Sequence, residues 1–173
     1  QENLGVILSA QRLRETPGRG QALRKDTEQA RVGAGAINAY IEGHDLKAFL
    51  LAHAALGADL KGDALFEELL NTLAVLAKDK VRQLEILPLA ALVKEKLKKS
   101  AVAFYARKFD AAAMECEEVT LLDEQNPLGW TRLGSAYYML GDKEKAKNAY
   151  ARALELSPDD PVIMRFMSEQ GWK

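Results

Sequence analysis

Cysteine is almost absent: Cys116 is alone, so these residues can build neither an internal disulfide nor a cysteine-based zinc cluster, and thiols say nothing of compartment. Histidine is nearly as scarce, with only His44 and His53. Long apolar runs are missing as well. None approaches the roughly 20 residues of a membrane helix, which predicts a soluble chain without a transmembrane segment. The net charge is only −1, so no overall field recruits nucleic acid or an anionic membrane, and neither is expected as a partner. Nowhere does apolar/polar alternation persist between hairpin turns, which argues against a sheet. The chain begins with Gln1 rather than Met, as an exported and processed chain or a trimmed one would.

What the chain does have is helical periodicity, and the expected fold is all-α. A short amphipathic helix around Leu4, Ile7 and Leu8 should stop before Pro17, Gly18 and Gly20. Further helices are expected over about 22–41, 46–57 and 63–79, with Asp45 capping the second of these. Residues 80–87 read either as an extension or as a connection. Pro88 suits a first helical position, and its helix should reach about Arg107. Asp110, Asn126 with Pro127, Asp142, and Asp160 with Pro161 mark four more helix starts.

One stretch carries more than periodicity. Trp130, Leu133, Gly134, Tyr137, Gly141, Ala146, Tyr150, Ala153 and Pro158 set very large and very small side chains at fixed offsets. In two antiparallel helices, Gly134 on one and Ala146 on the other let the backbones approach, while Trp130, Leu133, Tyr137 and Tyr150 fill the flanks. Pro158 ends the second helix because it lacks an N–H and clashes with the preceding turn. These offsets resemble the tetratricopeptide repeat at every signature position, with Tyr150 where that family usually has Phe. Pro127 to Asp160 also has the 34-residue length of that repeat. The resemblance implies helices at about 128–140 and 143–156, stacked with others as a right-handed α-solenoid of antiparallel helix-turn-helix repeats with a terminal capping helix.

A lone repeat cannot bury both of its faces, so neighbours are expected. Ala112 lies 34 residues before Ala146, with Phe104 and Tyr105 ahead of the turn. Cys116 and Val119 hold the later positions of that unit, and Glu124 replaces the terminating Pro. Further back, Tyr40, Gly43, Ala48, Ala52 and Ala55 form a similar arrangement. In both earlier units the aromatic precedes the first alanine by eight residues rather than nine, which leaves the helix register open by one. The implied organisation is an N-terminal helical region, 1–87, with a degenerate repeat at 31–60, followed by repeats and a capping helix over 88–173.

Charge divides between neighbouring helices. Lys94, Lys96, Lys98, Lys99, Arg107 and Lys108 precede Asp110, Glu115, Glu117, Glu118, Asp123 and Glu124. The plain reading is solvated faces that screen one another; the functional one is a docking site for an acidic peptide. Catalytic motifs do not assemble. His44-Asp45 resembles the pair of metal-dependent HD phosphohydrolases, but His53, nine residues on, falls on the opposite helix face. The stretch GRGQAL at 18–23 lacks the preceding strand and the Gly-Lys-Ser/Thr of a phosphate loop. Cys116 sits at an inward position as a small hydrophobe. Glu117 and Glu118 diverge by about 100° around their helix and share no proton. No catalytic residue, metal ligand or cofactor is expected.

That leaves surface geometry. In tetratricopeptide repeats the first helices line a concave groove where a peptide docks, which points to Leu128, Thr131, Ser135, Tyr138 and Met139, with Tyr105 and, nearby, Lys94 and Lys98. Ser135 stands where repeats that clamp chaperone tails supply Asn, so such tails are disfavoured. Tyr138 and Met139 have an alternative place beneath a neighbouring helix. Val162, Ile163, Phe166, Met167 and Trp172 either cover the last hairpin or form a dimer contact. The resemblance implies a non-catalytic scaffold or adaptor, expected in a bacterial assembly, that binds a protein or peptide. The rival is a self-associating structural protein, a homo-oligomer whose groove takes its own terminus or a second copy.

Overall fold

A computed structural model of the chain describes residues 28–58 and 87–172. The helices expected near 4–8 and over 63–79, the start of the one over 22–41, most of 80–87 and the GRGQAL stretch lie outside those residues. Among the described residues every regular element is a helix: α1 (Glu28–Ile41), α2 (Asp45–Ala58), α3 (Leu89–Tyr105), α4 (Phe109–Leu122), α5 (Pro127–Met139), α6 (Lys143–Leu156) and α7 (Pro161–Glu169). They belong to two units, Gln1–Leu92 and Val93–Lys173.

One helix ending recurs four times. After α1, α3, α5 and α7 the chain passes through a positive φ, at Gly43 (81°), Arg107 (61°), Gly141 (83°) and Gly171 (68°). Each time the next N–H reaches back five residues, from His44 to Ala39, Lys108 to Ala103, Asp142 to Tyr137 and Trp172 to Met167. This is the Schellman ending, which satisfies the last helical carbonyls only if one residue turns left-handed. Glycine, without a Cβ, holds three of the four places; Arg107 takes the same conformation at a cost.

Helix starts obey the sequence with three corrections. Asn126, Asp142 and Asp160 cap α5, α6 and α7, their Oδ1 atoms accepting from Gly129, Lys145, and Val162 with Ile163, at 3.0 to 3.1 Å. Asp45 and Asp110 do not cap. They lie inside the first turns of α2 and α4, because the shared turn hands the chain straight on and the carbonyls of His44 and Lys108 accept from Ala48 and Ala112. Both carboxylates still face the positive end of the helix dipole. The carbonyl of Pro88 accepts from Leu92, which puts Pro88 just before α3 rather than first within it.

In the unit Val93–Lys173, consecutive helices pack on one another. Ala112, Ala113 and Cys116 of α4 meet Leu133 and Ala136 of α5 and Ala149 of α6 in one buried cluster. Ala146, Tyr150 and Ala153 of α6 meet Ile163 and Met167 of α7 in another. Small residues set these distances: a Cβ on Gly134 would lie 3.0 Å from the Tyr150 ring. The recurring turn also closes the open register. Lys108 lies 34 residues before Asp142, so Ala103, not Phe104, takes the place of Tyr137.

That register puts Lys96 where the next hairpin has Trp130. Solvated charge was the plain expectation here, and burial replaces it. Lys96, Glu115 and Glu118 are buried, with Lys96 Nζ 3.2 Å from Glu115 Oε2 and bonded to Glu118 as well. The cause is geometric: Glu115 and Glu118, three apart on α4, share the helix face that Lys96 meets. Ser100 takes the place of Gly134 and lies 2.8 Å from Cys116 Sγ, and burial pushes that thiol's pKa up.

In the unit Gln1–Leu92, α1 and α2 form a hairpin closed by the same turn, with Ala36, Ala39, Ala48, Ala52 and Ala55 buried at the crossing. Ten consecutive residues of α2, from Ala48 to Gly57, are buried, so this helix is covered on every side. His53 is among them, its ring 5.5 Å from that of Phe49.

Candidate functional site

α3 and α5 are the first helices of successive hairpins, and a cleft of about 180 Å³ opens between them. Ser100, Ala101, Phe104 and Tyr105 line it from α3, Arg132 and Ser135 from α5. The aromatic wall is built by stacking. Phe104 meets Phe109 at 5.3 Å and Tyr105 edge-on at 6.3 Å, which leaves Tyr105 86 % exposed. The hydroxyl of Ser135 is fixed by the Thr131 carbonyl at 3.1 Å and by Tyr150 Oη at 2.9 Å. Burial raises the pKa of the Tyr150 phenol, so it stays neutral there.

Arg132 is the one charged residue in α5, whose sequence is PLGWTRLGSAYYM. Its Nη1 donates to the Leu97 carbonyl at 2.6 Å, tying α5 to α3. The guanidinium is half-buried, and no carboxylate among the described residues lies within ion-pair distance of it. Lys94 and Lys98 precede Ala101 and Tyr105 by seven residues each, two helical turns, and so continue the same face of α3. Both are exposed.

The cleft therefore gathers Tyr105 and Ser135 from the residues expected in the groove. Leu128 and Met139 are exposed on α5 without lining it, and Thr131 is half-buried, its hydroxyl donating to the Pro127 carbonyl at 2.8 Å. Tyr138 lies under α7, 5.1 Å from the Phe166 ring and 6.1 Å from that of Trp172, with its hydroxyl donating to Gln170 at 3.3 Å. Ile163 and Met167 of α7 are buried, and Phe166 and Trp172 pack against the same cluster. Arg132 was not among the expected residues, although a solitary charge in an otherwise uncharged helix is a signal that the sequence carried.

A second depression, of about 600 Å³, lies between α4 and α6 over Trp130, Leu133 and Tyr137. Its charges are matched locally. Glu117 accepts from the Tyr137 hydroxyl at 2.5 Å, Lys145 sits 3.5 Å from Asp142 and 5.3 Å from the centre of the Tyr137 ring, and Arg152 lies 2.6 Å from Glu155. The α3–α5 cleft differs in holding a cation with no such match among the described residues.

Among the described residues no three His, Cys, Asp or Glu side chains converge as metal ligands, and no helix is long and apolar enough to cross a membrane. His44 is exposed, 3.5 Å from Glu42, whereas His53 is buried within α2. Apolar contact, hydrogen bonding and charge are what the cleft offers.

A sequence model of the tetratricopeptide repeat matches residues 127–160, the span of α5, α6 and the turn into α7. No curated protein shows significant similarity to the chain.

Proposed function

We propose that the chain is a non-catalytic interaction scaffold that takes a peptide or protein segment onto the face shared by α3 and α5. Tyr105 carries this reading: a large aromatic side chain left 86 % exposed at the edge of a cleft is what an interface uses as an anchor. The tetratricopeptide repeat at 127–160 supports a protein as the partner. Leu128 and Met139 would extend the apolar surface along α5, and Lys94 and Lys98 would set the orientation of the bound segment. The test is a random dodecapeptide selection on the wild type, followed by affinity measurements on Tyr105→Ala and on Ala101→Trp, which fills the cleft. Selected peptides should lose about tenfold or more on each variant, the size of effect expected of an anchor residue. Equal binding to both would move the site off this face.

One observation favours self-association as a second reading. α7 leaves Val162 and Met164 74 % and 52 % exposed, an apolar edge that a second copy would cover. Sedimentation velocity across a concentration series separates the two readings. A monomer at every concentration removes the homo-oligomer, whereas a dimer that Val162→Glu dissolves supports it.

A further inference from the structure

We infer that the α3–α5 cleft reads an acidic side chain of the bound segment, with Arg132 as the residue that sets this preference; the inference rests on the reading of that face as the binding surface. A guanidinium carries five N–H donors, and the Leu97 carbonyl takes one. The remaining donors meet no carboxylate among the described residues, in a helix with no other charge. A half-buried cation left in that state has lost part of its hydration without a counter-charge, and a carboxylate that enters the cleft restores the balance with two parallel hydrogen bonds. The bond to Leu97 already holds the side chain in place, so less rotamer freedom is lost on binding.

Size and stereochemistry narrow the ligand further. A cleft of about 180 Å³ is smaller than the few hundred Å³ of small-molecule sites and suits one inserted side chain. Two of the three lining hydroxyls are engaged, Ser100 with Cys116 and Ser135 with Thr131 and Tyr150, which leaves the Arg132 guanidinium and the exposed Tyr105 phenol as the donors. Two oxygens of a carboxylate match one guanidinium fork. Phe104 and Tyr105 beside the fork would take an apolar neighbour of the acid. Lys98 and Lys94, exposed on the same face and unmatched by any carboxylate among the described residues, favour further acids or neutral residues in the direction of the α3 start. The preferred partner is an acidic segment with an aromatic or aliphatic residue next to one of its acids.

The dodecapeptide selection tests this when run in parallel on the wild type, Arg132→Met and Arg132→Lys. Wild-type pools should be enriched in Asp and Glu over the starting library. The enrichment should vanish with Arg132→Met and survive in weakened form with Arg132→Lys, which keeps the charge and loses the fork. In a synthetic peptide taken from the wild-type pool, replacing its acid by the corresponding amide should cost roughly tenfold on the wild type, the order expected of a hydrogen bond to a charged group. On Arg132→Met the same replacement should cost nothing. Wild-type pools without acidic enrichment, or enrichment that persists in Arg132→Met, would overturn the inference. If Arg132→Met fails to fold, the Arg132→Lys comparison decides: an unchanged penalty for the amide replacement in that variant overturns it. Peptides that need Tyr105 but no acid sink this inference alone, and peptides indifferent to Tyr105→Ala sink the binding face itself.

Discussion

The α3–α4 and α5–α6 hairpins close through the same turn 34 residues apart, yet they fill the space between their helices by unlike means. In α5–α6, Trp130 and Tyr137 pack against the buried cluster that includes Leu133, Ala136 and Ala149, and Gly134 admits the Tyr150 ring. In α3–α4 the corresponding positions hold Lys96 with Glu115 and Glu118, and Ser100 with Cys116. The repeat is thus defined by where the chain turns and how near the helices come, while the filling is free to be apolar or ionic. An ionic filling is the more demanding one, because each member depends on the others to offset its lost hydration.

The largest expected effect breaks that dependence. Lys96→Met removes the ammonium group that both buried carboxylates share and should destabilise the α3–α4 hairpin by about 3 kcal/mol. Urea denaturation followed by circular dichroism measures it. Replacing the whole cluster with its counterparts, as Lys96→Trp with Glu115→Ala and Glu118→Arg, should recover about 2 kcal/mol or more of that loss. If the triple variant is no better than the single one, the two hairpins do not have interchangeable interiors.

Packing gives a smaller contrast at the next pair of matched positions. Gly134→Ala pushes a Cβ to 3.0 Å from the Tyr150 ring and should cost about 1–2 kcal/mol despite the better helix propensity of alanine. Ser100→Ala removes a hydroxyl whose partner is a thiol, and about 1 kcal/mol or less is expected. Equal losses in thermal melts would show that the close approach in α5–α6 is not what Gly134 provides.

How much of this was legible before the structure depends on the kind of interaction. Helix positions among the described residues and the caps at Asn126, Asp142 and Asp160 are local, and the sequence carried them; the spacing set Gly134 against Ala146, whereas the ring of Tyr150 is what lies against Gly134. The caps assigned to Asp45 and Asp110 failed because a Schellman turn determines where the following helix opens, and Arg107 holds a left-handed place that sequence patterns reserve for glycine. The buried Lys96 cluster was read as surface because charge is a poor guide to depth when its partners lie on another helix, 19 and 22 residues away. Tyr105 and Ser135, which the resemblance to the repeat family points to, line the cleft. Tyr138 does not, since α7 covers it, and Arg132 needed the third dimension: its bond to Leu97 is a contact between hairpins.

Alkaline titration sharpens the comparison by locating which hairpin gives way first. Burial raises the Cys116 thiol in α3–α4 above its ordinary 9.0, with Ser100 and Arg132 opposing. Burial, then the hydrogen bond to Glu117, raises the Tyr137 phenol in α5–α6 above its ordinary 10.0. A group whose folded pKa is raised contributes stability that is complete below its unfolded pKa and is lost as pH climbs through the folded one. Stability should therefore start to fall above about pH 9, through Cys116, and more steeply above about pH 10, through Tyr137. Cys116→Ala should flatten the first limb and Tyr137→Phe the second, with Tyr150 keeping part of the upper slope. A profile that Cys116→Ala leaves unchanged would mean that the thiol is not sealed within α3–α4.

The smallest effect concerns the turn itself, the feature the hairpins share. In α5–α6 Gly141 takes the positive φ and Asp142 caps α6, while in α3–α4 Arg107 holds φ 61° and Lys108 offers no side-chain cap. Left-handed backbone costs a residue with a Cβ about 1–2 kcal/mol, part of which glycine returns through the freedom it loses on folding. A missing cap costs about 0.5–1 kcal/mol. Arg107→Gly with Lys108→Asp should therefore raise stability by about 1 kcal/mol, with the introduced carboxylate accepting from the Ala111 N–H as Asp142 does from Lys145. Arg107 and Lys108 are exposed, so the change leaves the core untouched and reports on the turn alone. An unchanged or lowered midpoint would show that the two turns, alike in hydrogen bonding, are not alike in energy, and that the equivalence of the hairpins stops at their geometry.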